Sequence, residues 1–341
     1  MAADQNNWHD AYFRRVMDKR ENATAELQTV MSKAMAARIE WETLELQQCH
    51  FVSSDLRVRL SDLLYRARID GREAFIYVLI EHQSRPHPLM PFRMLEYMVR
   101  IWNRYIAEHP KTDMLPAVIP VVVYVSPEGR RWSKPTELAD LIDVDPATRE
   151  AFGEYLPHLR FLIDDLTAEP LQAILARDQP SEARTMLALL KTAPGNRYLG
   201  DVLKLLLPDL DAILAAFDGK EALISVVTYI RGVSEIRESD LESIVGQLGP
   251  QAMEVIMTTA DRLRAQGRAQ GRAEGIEEGI AEGEAKGRIE ERAEMLIELL
   301  AIKFGTLTDQ TVATVRSADP EALRIWSARV LTADSLDQVF Q

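Results

Sequence analysis

The stretch RLSDLLYRARIDGREAFIYVLIEHQS, residues 59–84, constrains the fold more than any other part of this chain. Two apolar runs, residues 60–69 and 73–82, flank an Asp-Gly dipeptide. Such a dipeptide between apolar runs predicts a two-residue hairpin turn, because a type I′ turn needs positive φ at both central positions. With that turn, Ile69 faces Arg72, and Asp62 falls opposite Leu79. Strand side chains alternate with period 2, so Glu81 and Gln83 share a face with Leu79, and therefore with Asp62. Asp62 and Glu81 become diagonal neighbours, about 7–8 Å apart at the backbone. A slip of one residue would send Asp62 to the opposite face.

Two carboxylates placed in this way converge on one cation, and Gln83 reaches the same spot from the same strand. The carbonyl of His82 lies between Glu81 and Gln83 and adds an oxygen donor. Phosphodiester hydrolysis needs charge neutralised on the phosphate, an activated water and help for the leaving oxygen. Mg²⁺ held by hard oxygen ligands supplies much of that. Gln83 can hydrogen-bond a water but is no base at neutral pH. By spacing alone, the same three residues also read as exposed polar groups at strand ends.

Helix-like patterns cover residues 8–19 and 23–39, and residues 44–52 form a weakly patterned first strand. After the hairpin, residues 89–106 read as an amphipathic helix. Residues 117–126, AVIPVVVYVS, then read as a buried strand, although Pro120 argues against its first half. A helix between two strands is the connection that a parallel pair needs. The first part is therefore expected to be a small mixed α/β sheet flanked by helices, in the order helix, three strands, helix, strand. Beyond Pro135, helical patterns dominate: residues 150–165, 168–176, 182–190, 198–217, 222–230, 238–248 and 253–265.

Glycines then fall at every fourth position, from Gly267 to Gly287. Six glycines cost a helix about 5–6 kcal/mol relative to alanine, yet the intervening residues are strong helix formers. The stretch reads as a solvated helical spacer or as a helix–helix contact. In the last part, AEMLIELLAIKF is an amphipathic helix stopped by Gly305, and Asp319 caps a helix with Pro320 at its first position. The expected division is residues 1–150, a helical domain 151–265, a spacer 266–290 and a small helical module 291–341.

The net charge of −13 argues against a simple nucleic-acid binder. The charge is uneven, however. Residues 1–134 carry 19 Lys+Arg against 17 Asp+Glu, and the remainder carries 21 against 36. All nine basic residues between Val52 and Arg104 are arginines, the side chain suited to bidentate phosphate contact. Arg57, Arg66, Arg68 and Arg85 are candidates for that role. The single cysteine, Cys49, excludes an internal disulfide framework and fits a reducing compartment. The polar N-terminus is no signal peptide, and no apolar run approaches the ~18 residues of a membrane span. A cytoplasmic protein with no membrane contact is expected. The spacing of His9, His82 and His87 fits no familiar zinc pattern.

The segments HDAYFRRVM, SDLLY, FIYVLIEHQSRP, PFRMLEYMVRIWNRYI and LPAVIPVVVYVS occur in this order. Together they resemble the recombination-promoting nuclease (Rpn) family, transposase-like proteins of the PD-(D/E)XK nuclease superfamily. The resemblance covers roughly residues 8–165 and continues more weakly through the helical region. It implies a restriction-endonuclease-like αβββαβ core and a Mg²⁺-dependent, or Mn²⁺-dependent, DNA endonuclease serving recombination, mobile elements or defence. It assigns metal binding to Asp62 and Glu81, and gives Gln83 the place that lysine holds in the wider superfamily. Asp10, in the N-terminal HD pair, is either an accessory site residue or a helix cap. An alternative is a weakly active or inactive nuclease scaffold with a regulatory role. The C-terminal helices are expected to make a homo-oligomer.

Overall fold

The computed structural model describes the backbone of residues 2–47, 63–82 and 85–340. Three helices open the chain: α1 (Ala2–Met17), α2 (Arg20–Val30) and α3 (Lys33–Ala36). They are followed by β1 (Ile39–Gln47), β2 (Leu63–Ile69), β3 (Arg72–His82), α4 (Met90–Glu108), β4 (Ala117–Val125), α5 (Pro146–Phe152) and β5 (Leu162–Asp165). The protein is therefore of the α/β class expected, with helices, three strands, a helix and a strand in that order. The five strands lie side by side as β1-β2-β3-β4-β5. β1, β2 and β3 are antiparallel, while β3, β4 and β5 are parallel.

Asp70 and Gly71 have φ of 49° and 77°, the two positive values of a type I′ turn. Arg38, just before β1, and Glu40, near its start, hold that turn. The Arg38 guanidinium donates to the Asp70 carboxylate, and the Gly71 N–H donates to Glu40 Oε1 at 2.7 Å. The register then runs without a bulge from Ile69↔Arg72 to Leu63↔Val78.

Three elements differ from the sequence expectation. The helix expected over residues 23–39 breaks at Met31, because Ser32 caps a new turn by accepting from the Met35 N–H. β1 consequently starts at Ile39, earlier than expected; residues 48–52 of the expected strand lie outside the described residues. The helix expected over residues 150–165 ends early, since Pro157 holds Leu156 in the extended region. The apolar run after it forms β5 instead; so short a run suits either a helix or a strand. Pro120 stays within β4 because pairing to β5 begins only at Val121, so that side of β4 is still an open edge.

Each face of the sheet has its own core. Leu63, Tyr65, Ala67, Ile76, Val78, Val121 and Val123 pack against α1, α2 and the helices that follow β5. Leu64, Tyr77, Leu79, Val122 and Tyr124 pack against Met90, Met94, Met98 and Ile101 of α4. Those later helices are α6 (Leu171–Leu175), α7 (Ser181–Thr192), α8 (Gly200–Ala215), α9 (Gly219–Val233) and α10 (Glu238–Val245). They share one continuous core with the sheet. α7 lies at its centre, with Met186 to Leu190 all buried.

Helix α11 (Pro250–Phe304) contains the whole glycine repeat. It is followed by α12 (Asp309–Arg316), α13 (Pro320–Arg329) and α14 (Leu336–Phe340). The chain divides into two compact units, Met1–Ala260 and Asp261–Gln341. The second unit has its own core, in which Leu296 and Leu300 meet Val315, Leu323, Val330 and Val339. Gly305, at φ 82°, ends α11, and Asp319 Oδ1 caps α13. At Gly283 and Gly287 no atom of the described residues lies within 4 Å of where a Cβ would stand, so no described contact requires glycine there.

Gly232 is different. A Cβ there would lie 2.7 Å from the Trp8 ring, so α1 and α9 meet through a glycine. Gly232→Ala is expected to cost about 1–3 kcal/mol in urea denaturation, and Trp8→Leu in the same chain should recover part of the loss. An unchanged midpoint for Gly232→Ala would contradict this contact.

Candidate functional site

The C-terminal ends of β3, β4 and β5 share one end of the sheet, because these strands are parallel. Antiparallel pairing brings the start of β2 and the end of β1 to the same end. Open α/β sheets bind ligands beyond the carboxyl ends of their parallel strands. Glu81 occupies this end in backbone register with Tyr124, and His82 in register with Val125. The described hairpin register stops at Leu63↔Val78, one step short of Asp62. Asp62, Gln83, Arg57 and Cys49 lie outside the described residues.

The remaining sequence candidates fall in different settings. Arg66 is ion-paired to Glu45 at 2.7 Å and lies 3.8 Å from Glu73, both on neighbouring strands. Arg68 is exposed on β2, and Arg85 is exposed shortly after β3. Asp10 lies inside α1, eight residues past its first, so it is not a helix cap. His9 is buried, its Nδ1 2.8 Å from the hydroxyl of Tyr229. Among the described residues, no group of three or more His, Cys, Asp or Glu side chains is arranged to hold a metal.

A buried polar cluster on the α1/α2 face is one that no sequence spacing announced. Arg177 is almost completely buried and makes a bidentate pair with Asp164 of β5, at 2.7 and 2.8 Å. It also binds Glu169 and, at 3.3 Å, Glu26 of α2. Burial pulls the Arg177 pKa down, but its bonds to Asp164 and Glu169 outweigh that and keep it charged. One cation thus serves three carboxylates. Burial, and then the neighbouring Asp164, push the Glu26 carboxyl well above the usual range. Gln179 Nε2 donates to Glu26 Oε2 at 2.9 Å. The cluster ties α2, β5 and the segment between α6 and α7 together. It therefore fixes the sheet edge next to β4.

The cluster yields two expectations. Arg177→Met leaves buried carboxylates without their cation and should cost about 3–5 kcal/mol in urea denaturation. The folded pKa of Glu26 lies above its ordinary 4.5, so the folded state holds more protons than the unfolded chain. This carboxyl's effect on stability is most favourable below that value and worsens as pH rises through the folded pKa. Glu26→Gln should therefore gain stability relative to wild type as pH increases above about 4.5. A difference between the two that does not vary with pH would contradict the raised pKa of Glu26.

Residues 7–216 match the family described as "Putative transposase, YhgA-like". The chain is 28% identical over 257 residues to recombination-promoting nuclease RpnD of Escherichia coli O157:H7, covering 75% of this chain and 93% of that protein. It is 26% identical over 262 residues to recombination-promoting nuclease RpnA of Escherichia coli strain K12, covering 76% and 84%. The protein named inactive recombination-promoting nuclease-like protein RpnE, of the same strain, is 25% identical over 262 residues, covering 76% and 82%. No solved structure matches the chain. No described helix is long and apolar enough to cross a membrane. With more than half of its length matching the family, and its sheet and helices α4 to α8 inside that match, the chain belongs to the YhgA-like transposase family, alongside relatives named recombination-promoting nucleases.

Proposed function

We propose that the protein is a metal-dependent DNA endonuclease, with Asp62, Glu81 and Gln83 at the carboxyl end of β3 as its site. The observation that carries this reading is the unbroken hairpin register from the Asp-Gly turn to Leu63↔Val78. Continuing the same register by one step, as the hairpin pattern of the sequence predicts, would put Asp62 opposite Leu79 and diagonal to Glu81. The names of RpnD and RpnA support the reaction class.

The donor chemistry fits Mg²⁺ or Mn²⁺. Asp62, Glu81 and the His82 carbonyl form an all-oxygen set, which hard divalent cations favour. When bound, such a cation supplies charge neutralisation at the phosphate and a more acidic water. Asp62 and Glu81 would be the residues that hold the cation. Gln83 orients the attacking water through its amide, and, lacking a basic group, leaves the removal of the proton to others. α4 closes the sheet face beneath, with Leu79 and Tyr124 in its dry core.

A second reading is a nuclease scaffold that has lost its activity and keeps a regulatory role. The similarity to RpnE, named inactive, favours it, as does glutamine in the place of lysine. The protein is expected to act as a homo-oligomer through its C-terminal helices under either reading.

Incubation of purified protein with supercoiled plasmid in Mg²⁺, Ca²⁺ or EDTA separates the two. Cleavage is expected in Mg²⁺ alone. Asp62→Ala should lower it by at least about a hundredfold, since residues that merely support metal ligands already carry 10–100-fold, and should leave the unfolding midpoint unchanged. Equal cleavage by wild type and Asp62→Ala would sink the assignment of this site.

A further inference from the structure

β4 ends at Val125, the register partner of His82. The chain then enters residues 126–134, SPEGRRWSK, at the same end of the sheet as Glu81. Neighbouring strands lie about 4.8 Å apart, so this loop begins one strand away from the proposed site.

The loop's backbone is held in place at several points. The Tyr124 hydroxyl donates to the Arg130 carbonyl at 3.0 Å. The Trp132 N–H donates to Asp165 Oδ2 at 2.8 Å, and the Trp132 indole donates to the Lys134 carbonyl at 2.7 Å. The Trp132 ring packs edge-on against Tyr124 and Phe161, with centroids 5.1 and 5.7 Å apart. Gly129, at φ 72°, closes the turn, and its N–H donates to the Ser126 carbonyl. Tyr124 is also the register partner of Glu81, so one residue supports both the strand and the loop.

The charges of the loop remain in solvent. Arg130, Arg131 and Lys134 are all exposed. Arg130 pairs with Glu128 at 3.1 Å. Arg131 and Lys134 have no carboxylate within ion-pair distance among the described residues. In a chain of net charge −13, three cations within five residues are a local excess. A stiff backbone that presents free cations lowers the ordering cost of binding an anion. Arginine and lysine in this arrangement suit phosphate oxygens.

We infer that the 126–134 loop is a phosphate-backbone clamp for the DNA substrate beside the β3 end, with Arg131 and Lys134 making the contacts. This rests on the nuclease reading and adds a substrate-binding element to it. The clamp positions the duplex and takes no part in the chemistry.

The test is fluorescence anisotropy of the full-length protein with a labelled DNA duplex of about 30 base pairs, in EDTA and across ~50–200 mM KCl. Arg131→Ala/Lys134→Ala should weaken binding by about tenfold and make the log K against log salt slope less negative by about 1.8, or 0.9 per lost contact. Arg131→Lys alone should keep the slope, and urea midpoints should match. Wild type that binds, with a double variant of equal affinity and slope, overturns the clamp and leaves the nuclease reading standing. Wild type that binds no duplex overturns both. Loop-dependent binding that is tighter to an RNA duplex of the same sequence overturns the assignment to DNA.

Discussion

The Asp70-Gly71 turn fixes more of this molecule than any other local feature. Its two positive φ values leave one way for β2 and β3 to pair, and every partner up to Leu63↔Val78 follows from it. Because side chains alternate, that register also divides the residues of β2 and β3 between the two cores. Tyr65 and Val78 go toward α1, and Leu64 and Leu79 toward α4. A slipped strand would exchange these sets. Glu40 of β1 and Arg38 just before it clamp the turn, so a third strand defends the same register.

What the turn does for the hairpin, the Arg177 cluster does for the far side of the sheet. Its carboxylates come from α2, β5 and the segment after β5, so α2 cannot leave the sheet without exposing the guanidinium. Buried ion groups of this kind are costly to break, although apolar replacements of the whole set can be as stable. Burial, and then the nearby Asp164, raise the Glu26 carboxyl pKa in the same cluster.

Legibility in the sequence followed the range of the physics. The hairpin was readable because its determinants are adjacent residues, and Gly305 and Asp319 marked helix ends for the same reason. β5 was missed because a strand of four residues carries too little periodicity to be told from a helix. The Arg177 cluster was invisible because its partners lie 8 to 151 residues away. Arg66 looked free for phosphate in the sequence, but its cross-strand neighbours Glu45 and Glu73 can be known only once the sheet is paired. At the site, Glu81 sits on β3 at the sheet end, while Asp62 and Gln83 lie outside the described residues.

Under the proposed function, Asp62 and Glu81 converge on one divalent cation. Calorimetric titration of Mn²⁺ into wild type, Asp62→Asn and Glu81→Gln measures this directly, without DNA or turnover. One strong site is expected in wild type, weakened to a similar extent by either substitution, with no further loss in the double variant. Mn²⁺ binding that both single variants retain unchanged would contradict it.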